Sequence, residues 1–314
     1  METRDKRIWC SSGFIAAGLI AVLLTAAAVN AVTSDENPAG KGDSALKEAH
    51  LRETFTRDLE LPAGTSVNIR NESGRISVTG WDGDTVSISG VKRMDVLGGS
   101  LESLKARFGM PLEITEEEAA YFNALDLDVR TTDGVLEIGI TRPAFAPGLS
   151  FSFHMDVKVP RNTDLNVRTE NGPVAIRGIQ GQVHAETVNG QLACEDITGS
   201  LNARSRNGGI ICRAIEGALL ARASNGSIEV DGRDASVAYA IHCETDNGSI
   251  KLNLPKNMSF NLAAMTSNGY VKTRLQVDGE VPRGAVRSVS GPVGAGGPVV
   301  HLRTLNGSIY LGES

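Results

Sequence analysis

Three consecutive blocks decide the fold: NGPVAIRGIQGQVHAETV (171–188), NGQLACEDITGSLNARSR (189–206) and NGGIICRAIEGALLARAS (207–224). Each block has eighteen residues and begins with Asn-Gly. A fixed period of this length is the signature of a repeat architecture, in which a unit buries its apolar face only by stacking on its neighbours. Looser copies follow further along the chain. The complete set of predicted turn asparagines is Asn171, Asn189, Asn207, Asn225, Asn247, Asn268 and Asn306.

Within each block, apolar residues recur at every second position in two short runs. In the second block, Leu192 and Cys194 belong to the first run, and Leu201 and Ala203 belong to the run that follows Gly199. A spacing of two predicts a strand with one buried face. Asn-Gly also occurs in two-residue hairpins, but a hairpin does not require an identical period. We therefore predict an all-β, single-chain parallel β-solenoid with coils of about 18–22 residues and about 4.8 Å between rungs.

Outward positions of the repeats carry charged side chains in columns. One column lies three residues before each turn asparagine, and we take it as the candidate binding ladder because a rigid stack would present it as a row of equivalent contacts. This ladder consists of Glu186, Arg204, Arg222 and Glu244. A second column alternates in sign and predicts cross-strand ion pairs worth about 0.2–1 kcal/mol each. It reads Arg177, Glu195, Arg213 and Asp231.

The N-terminal region differs in composition from the repeats. Residues 1–32 combine the basic residues Arg4, Lys6 and Arg7 with an uncharged apolar run from Ile8 to Val32. That run is long enough to form a transmembrane helix, and the basic flank predicts a cytoplasmic N-terminus. The alternative is a signal peptide cleaved near Ala31, which would give a secreted protein. Both interpretations place the rest of the chain outside the cytoplasm.

The remaining chain divides into a linker and one long repeat region. Residues 33–53 are polar, contain glycine and proline, and are predicted to form a linker. The repeat region covers 54–314, and its alternation breaks at about 91–125, where we expect an irregular or helical insertion. The insertion contains the acidic run 116–118, for which a solvated helix start is a simpler explanation than a calcium site or an acid–base pair.

Cysteines and histidines form two groups with repeat spacing. Cys194 and Cys212 are eighteen residues apart, so adjacent rungs would hold them either as a disulfide or as buried free thiols. His184, His242 and His301 share one outward phase, but two other rungs separate the first two. We therefore expect solvated surface histidines that share no metal ion.

Composition and motifs exclude several classes of function. The net charge of −6 argues against a nucleic-acid-binding surface. The sequence contains no G-x-S-x-G, Walker or H-E-x-x-H motif. We therefore predict that the protein is not an enzyme and has no catalytic, metal-binding or cofactor-binding residues.

Three stretches carry a family resemblance: NESGRISVTGWDGDTVSISG (71–90), VKVPRNTDLNVRTENGPVAIRGIQGQVHAETVNGQL (157–192) and LRTLNGSIYLGES (302–314). Together they resemble the bacterial DUF4097 ("putative adhesin") family, which is related to the DUF2807 head domains, over about residues 54–314. The resemblance implies a β-solenoid in the bacterial cell envelope. It brings no catalytic motif.

These observations lead to one functional expectation with two alternatives. We expect a binding or scaffold module that is tethered to the bacterial cytoplasmic membrane by one N-terminal helix, with the solenoid in the periplasm. Its partner would be an envelope protein or a glycan. The alternatives are an envelope-stress signalling partner of other membrane proteins and a carbohydrate-active β-helix enzyme.

Overall fold

The computed structural model describes residues 50–62, 64–96, 114–144, 149–232, 239–255, 258–279, 282, 284 and 286–313. This part of the chain contains one helix, α1 (Glu116–Ala124), and twenty strands. The strands are β1 (His50–Glu60), β2 (Ser66–Ser73), β3 (Ile76–Trp81), β4 (Thr85–Val96), β5 (Asp126–Thr132), β6 (Val135–Thr141), β7 (Leu149–Pro160), β8 (Leu165–Asn171), β9 (Val174–Asn189), β10 (Leu192–Asn207), β11 (Ile210–Glu216), β12 (Leu219–Asn225), β13 (Ile228–Asp231), β14 (Ile241–Asn247), β15 (Ile250–Leu254), β16 (Phe260–Asn268), β17 (Val271–Thr273), β18 (Ser288–Val293), β19 (Val299–Asn306) and β20 (Ile309–Glu313).

The predicted transmembrane helix at 8–32 and most of the predicted linker, 33–49, lie outside the described residues. Within the described part, the only helix is too short to cross a bilayer. The predicted linker extends to residue 53, but β1 already begins at His50. Its last four residues therefore belong to a strand.

The strands form one continuous sheet with two parts, which we call sheet A and sheet B. Sheet A holds the strands that precede each Asn-Gly turn, in the order β5–β6–β2–β8–β9–β10–β12–β14–β19–β16–β18. Sheet B holds the strands that follow the turn, in the order β1–β4–β7–β3–β9–β10–β11–β13–β15–β20–β17. Strands β9 and β10 are long enough to contribute to both sheets. The inward side chains of both halves form one hydrophobic core.

The central rungs stack in the register that the sequence predicts. Leu192 pairs in parallel with Ile210, and Ile210 pairs with Ile228. All three side chains are fully buried. Because the same residue type recurs in the same column, each rung fills the groove left by the previous one without a change of backbone geometry.

The order of the rungs departs from chain order at both ends. The last rung in sequence, β19–β20, lies between β14–β15 and β16–β17. The first rung, β2–β3, lies between β6–β7 and β8–β9. Stacking each coil on its neighbour in sequence, as predicted, is therefore correct for the centre and wrong for the ends.

The ends also correct the prediction of a purely parallel sheet. Four strand pairs are antiparallel: β1–β4, β4–β7, β5–β6 and β16–β18. A terminal rung has no further coil to cover its edge, and an exposed edge of unpaired backbone groups is a site for aggregation. Antiparallel strands pair with the edges at the ends of the stack, and of the four pairs only β5–β6 is joined by a short turn.

The repeated motif Thr-x-Asn-Gly has a specific role for each residue. The asparagine amide of each rung donates to the asparagine oxygen of the adjacent rung; for example, Asn207 Nδ2 lies 2.8 Å from Asn189 Oδ1. The threonine or serine hydroxyl points inward and donates to a glycine carbonyl of the adjacent rung, as Thr245 does to Gly226 at 2.8 Å. The asparagine ladder runs through Asn171, Asn189, Asn207, Asn225, Asn247, Asn306 and Asn268.

The glycine of the motif is required by the close approach of the rungs. A Cβ added to Gly208 would lie 1.9 Å from the carbonyl oxygen of Gly190. The glycines of the other Asn-Gly turns would meet an equivalent carbonyl oxygen at 1.9–2.2 Å. Only glycine permits the turns to stack directly on one another.

The stretch 91–125, predicted to be an irregular or helical insertion, begins as a strand. Strand β4 continues through the first residues of that stretch, up to Val96, and the helix α1 lies near its end. Lys92 occupies an inward position of β4, so a charged residue interrupts the alternation of apolar and polar residues that would identify the strand in the sequence. Its ammonium group donates to the carbonyl oxygen of Leu125 at 2.8 Å, just beyond the end of α1, and pairs with Glu53 at 2.6 Å. These partners compensate for the burial of its charge.

The acidic run of the insertion begins α1. Thr115 is the N-cap, and its hydroxyl accepts a hydrogen bond from the backbone N–H of Glu118 at 3.2 Å. The Glu118 carboxylate accepts one from the Thr115 N–H at 2.7 Å. This reciprocal arrangement is a capping box, so the helix-start interpretation of these glutamates is confirmed.

The cysteines in the described rungs are free thiols. Cys194, Cys212 and Cys243 are buried in the core. Burial raises the pKa of the Cys194 thiol and of the Cys243 thiol to about 12. Because the thiolate is the reactive form, these cysteines act as small apolar side chains that fill the core.

Candidate binding face

The outward side of sheet A carries the predicted ladder. Glu186 pairs in register with Arg204, Arg204 with Arg222, and Arg222 with Glu244. The parallel rungs hold the four side chains in one column because each lies on the outward face three residues before a turn asparagine. The column continues through Arg168 on one side and Arg303 on the other.

Ion pairs join most of the column. Arg168 Nε lies 3.6 Å from Glu186 Oε2, and Arg222 Nε lies 3.6 Å from Glu244 Oε2. Arg303 Nη1 makes the shortest contact, 2.5 Å from Glu244 Oε1. Burial alone would raise the pKa of Glu244, but the hydrogen bond and charge of Arg303, together with Arg222, outweigh it. The pKa of Glu244 therefore lies below its usual value.

Arg204 differs from its neighbours in the column. Within the described ranges, no carboxylate lies within salt-bridge distance of its guanidinium group. Its register neighbours are Glu186, which pairs with Arg168, and another arginine, Arg222. Like charges on paired strands repel each other. A shallow depression of about 620 Å³ on this face is lined by three arginines and three carboxylates: Arg204, Arg206, Arg222, Glu186, Glu244 and Asp246. The Arg204 guanidinium group, which has no ion-pair partner among the described residues, can therefore donate to a hydrogen-bond-accepting group of a partner.

A second concave region lies at the end of the same face, where β6 separates from β2. The two strands pair only as far as Ile69 and Ile138, after which β6 continues with β5 alone. The separation opens a cleft of about 520 Å³ between β6 and the rungs of β2, β8 and β9. We call it the fork cleft. Its lining includes Ile138, Ile140 and residues on the neighbouring rungs.

Three of the residues along the fork cleft have a buried side-chain oxygen without a hydrogen-bond partner. These atoms are Asn68 Oδ1, Asn71 Oδ1 and Thr169 Oγ1. Asn71 and Thr169 pair in register on adjacent strands, yet no hydrogen bond joins their unpaired oxygens. Asn71 and Thr169 belong to the inward column, and Asn166 and Asn202 on neighbouring rungs carry the same unpaired oxygen as Asn68, so these atoms are not particular to the cleft.

The three histidines do not all occupy the places that we predicted. His184 lies between Asn166 and Asn202, whereas His242 is directly paired with His301. The imidazole rings of His242 and His301 are stacked, with centroids 4.6 Å apart. The prediction of solvated surface histidines did not anticipate this contact, which arises because β19 inserts next to β14.

The histidine pair is poorly arranged for metal binding. The Nδ1 atoms of His242 and His301 are 3.1 Å apart, but the rings are only 26° from parallel. In-plane lone pairs of stacked rings run side by side and do not converge on one ion. Burial, followed by the neighbouring His301, lowers the pKa of His242. Over the described rungs, no group of three or more His, Cys, Asp or Glu side chains has the geometry of a metal site.

Comparison with known families decides the classification. A family model described as Toastrack DUF4097 matches residues 56–311. The chain belongs to this DUF4097 family. No curated protein matches it.

Solved structures similar to this DUF4097 chain come from several bacteria. A structure titled "putative cell adhesion protein" from Clostridium sporogenes is 11% identical, with a TM-score of 0.37, and covers 84% of this chain and 100% of its own. A "putative adhesin" from Bacteroides fragilis is 11% identical, with a TM-score of 0.40, and covers 83% and 97%. A "putative lipid binding protein" from Parabacteroides distasonis is 12% identical, with a TM-score of 0.32, and covers 83% and 96%. Similarity at this level transfers no ligand to the DUF4097 chain.

Sequence reasoning missed the fork cleft. The ladder follows from the eighteen-residue period, but the cleft depends on which strand covers the first rung, and no period encodes that choice.

Proposed function

We propose that this protein is a membrane-tethered, extracytoplasmic β-solenoid that binds an envelope protein or glycan through the outward face of sheet A, without catalysis. The observation that carries the proposal is the position of Arg204 in the ladder: it lies between Glu186 and Arg222, and among the described residues it makes no ion pair with a carboxylate. Two adjacent guanidinium groups on a rigid backbone repel each other. A partner that offers acceptor groups would relieve this repulsion and gain charge-assisted hydrogen bonds.

The proposed mechanism is display. The stacked rungs hold the ladder at fixed spacing, so a partner can form several weak equivalent contacts without ordering a flexible surface. Membership of the DUF4097 family, for which the sequence resemblance implies a putative adhesin, supports a binding role. The basic and apolar segment at 1–32 supports the tether.

The test is a crosslinking pull-down on intact cells or spheroplasts with a membrane-impermeant reagent and the tagged full-length protein. We expect capture of a partner in the wild type. Capture should fall in steps in Arg204→Ala and in the double variant with Arg222→Ala, while the melting temperature stays unchanged. Exposed ion pairs contribute little to stability, so the fold should tolerate both changes.

The matched control is Arg213→Ala, an outward arginine on sheet B at the opposite side of the rung. It should leave capture unchanged. Protection of the solenoid from the impermeant reagent would contradict the extracytoplasmic location. Complete loss of function on removal of one exposed Asp, Glu or His, with the fold intact, would favour an enzyme. The captured species itself distinguishes a surface glycan from a membrane signalling protein.

A further inference from the structure

We propose that the free edge of β1 pairs antiparallel with β1 of a second copy of this chain, so that two solenoids share one continuous sheet B. The inference goes beyond the proposed function and does not depend on the ladder, because β1 lies at the end of sheet B. The observation that carries it is the sequence of β1, HLRETFTRDLE. From Leu51 to Leu59, residues at equal distances on either side of Phe55 match each other in charge or shape.

Strand β1 has one unpaired edge over the part of the chain that the structure describes. Its eleven residues pair there only with β4. Just beyond β1, the Leu61 N–H donates to the carbonyl oxygen of Asp84 at 3.3 Å in the same register, so the odd-numbered residues direct their backbone groups towards β4. The backbone groups at the free edge belong to the even-numbered residues, including Arg52, Thr54, Thr56 and Asp58. A long edge without proline or glycine is a template for another strand.

A symmetric antiparallel pair about Phe55 preserves the pleat of the sheet. Each inward residue of one copy then lies opposite an inward residue of the other: Phe55 faces Phe55, and Leu51 faces Leu59. Phe55 and Leu59 are core residues, 8% and 5% exposed, so the two hydrophobic cores lie on the same side of the shared sheet. Phe55 falls at a non-hydrogen-bonded position of the new pair, where side chains approach most closely and aromatic pairs stabilise the sheet.

The charged residues of β1 become complementary in this register. On the outward face, Arg52 lies opposite Asp58 of the second copy. On the inward face, Glu53 lies opposite Arg57. The two-fold axis repeats each of these pairs, because the same surface is used by both copies. Opposite charges on directly paired residues stabilise a sheet, and so does the pair that Thr54 forms with Thr56.

The side chains of β1 are free to make these pairs. Among the described residues, Arg52, Arg57 and Asp58 make no ion pair, and the neighbour of Arg52 on β4 is another arginine, Arg93. The Arg57 guanidinium group donates instead to the carbonyl oxygen of Thr56 at 3.0 Å, which is an acceptor at the free edge. A second strand would take over this carbonyl oxygen and release Arg57.

Glu53 can serve both its own chain and the second copy. Its Oε2 atom lies 2.6 Å from the Lys92 ammonium group. The other carboxylate oxygen, Oε1, can accept from Arg57 of the second copy, because an ionised carboxylate accepts several hydrogen bonds.

Neighbouring registers lose the match. A shift of one residue sets inward side chains opposite outward ones. A shift of two residues in either direction places the charges of Glu53 and Arg57 opposite apolar side chains, those of Leu51, Phe55 or Leu59. Inward charges normally protect an edge from pairing. Here they meet their counter-charges in one register, so they disfavour other strands and select a second copy of β1.

The test measures the mass of the full-length protein in detergent by size-exclusion chromatography with multi-angle light scattering, over a dilution series. We expect a reversible dimer in the wild type. Arg52→Asp sets like charges opposite each other at two symmetric positions, so it should raise the Kd of the dimer about tenfold. Its fold should stay intact by circular dichroism, because Arg52 is exposed and faces Arg93 within its own chain. Addition of Asp58→Arg exchanges the two charges and should restore the wild-type Kd.

Arg206→Asp is the matched control, since it makes the same change of charge at an exposed position of sheet A. It should leave the Kd unchanged. A wild type that is monomeric at every concentration overturns the proposal. A dimer that Arg52→Asp does not weaken, or that Asp58→Arg does not restore, overturns it as well, since association would then use another surface.

Disulfide crosslinking tests the register itself. Two chains, both with Cys10→Ser, carry Thr54→Cys and Thr56→Cys respectively. Mixed and oxidised, they should form a crosslinked dimer on non-reducing electrophoresis, because the two positions lie opposite each other. Either chain alone should crosslink poorly, since identical positions are then displaced by two residues along the strand and lie beyond disulfide range. Equal crosslinking of the mixture and of the single chains would overturn pairing about Phe55.

Discussion

The centre and the ends of this stack make the same Thr-x-Asn-Gly contacts between rungs, but they differ in the order in which the rungs are stacked. From Asn171 to Asn225 every rung lies on the rung that precedes it in sequence. At the C-terminal end, β19–β20 lies between two rungs that precede it in sequence. The asparagine ladder passes through this insertion without a break, because Asn306 bridges Asn247 and Asn268 at 2.8 Å on each side.

The difference shows what the repeat motif specifies. Thr-x-Asn-Gly determines how two rungs pack, because the ladder, the inward hydroxyl and the glycine contact are all made between nearest neighbours. It does not determine which rung is the neighbour. Any rung with the motif presents the same upper and lower surfaces, so the connecting segments decide the order. This is the behaviour expected of a one-dimensional stack.

The sharpest test of this comparison is a disulfide between outward positions of sheet B. Lys251 pairs with Tyr310, and Tyr310 pairs with Lys272, so the two lysines are two rungs apart. Lys251→Cys with Tyr310→Cys should crosslink almost completely on oxidation, since one rung spacing of about 4.8 Å is within disulfide range. Lys251→Cys with Lys272→Cys should not, at about 9.6 Å. Stacking in chain order predicts the opposite result. Non-reducing electrophoresis distinguishes the two arrangements.

The next largest effect concerns the core. Ile210→Asp places a charge without a partner among fully buried side chains in the centre, and we expect it to cost several kcal/mol and to prevent stable folding. Ala193→Asp is the control, because it lies on the outward face of the neighbouring rung and should change stability by less than about 0.5 kcal/mol. Circular dichroism with chemical denaturation measures both. Equal melting of the two variants would show that the register is wrong.

The same substitution in the inserted rung extends this test to the end of the stack. Ile309→Asp should release strands β16–β20 while the centre stays folded, because the contacts of each rung are confined to its neighbours. Hydrogen exchange should then show lost protection over β16–β20 and retained protection over β9–β12. Loss of protection throughout the chain would mean that centre and end unfold as one unit.

The sequence predicts the central fold well because there the period, the alternation and the turn residues all agree. Leu192, Ile210 and Ile228 could be stacked from spacing alone. The ends resist prediction for two physical reasons. A buried lysine, Lys92, hides the alternation of β4, since its partners come from α1 and β1, which are distant in sequence. The insertion of β19 depends on loop paths, which carry no periodic signal.

The candidate site divides in the same way. The ladder from Glu186 to Glu244 follows from the period, so the residues that lie together could be named before the structure was known. The fork cleft and the pairing of His242 with His301 could not, because both arise where a strand leaves or enters the stack out of order. In both cases the site depends on the order of the strands, which the repeat motif does not specify.

The smallest predicted effect compares a histidine of the centre with one at the junction. His184 lies between asparagines on the central rungs, and burial, followed by the charge of Arg168, lowers its pKa. His242 lies at the junction with β19. Burial, followed by the neighbouring His301 and then Arg222, lowers its pKa, and Glu244 opposes the shift.

The sign of the pH dependence follows from these directions. A histidine whose pKa is lower in the folded state than in the unfolded state binds more protons when unfolded. Stability is therefore lost as the pH falls from the unfolded pKa of about 6.5 towards the folded value. The pKa of Glu244 is lowered in the folded state, so its contribution to stability is present above its unfolded value and fades only at more acidic pH. The two effects occupy different pH windows.

Acidification from about pH 7.5 to about pH 5.5 should therefore lower the melting temperature of the wild type slightly. The effect is small because both side chains are partly solvated, which screens their interactions. His242→Asn should fit the fold, because the same column already holds an asparagine at Asn202. It removes one imidazole of the stacked pair, so it should reduce the acid-induced loss of hydrogen-exchange protection in β19. His184→Asn should leave β19 as acid-sensitive as in the wild type, because its rung lies several spacings away. If both variants respond alike, the stacked pair at the junction has no acid response of its own, and the difference between centre and end is confined to the order of the strands.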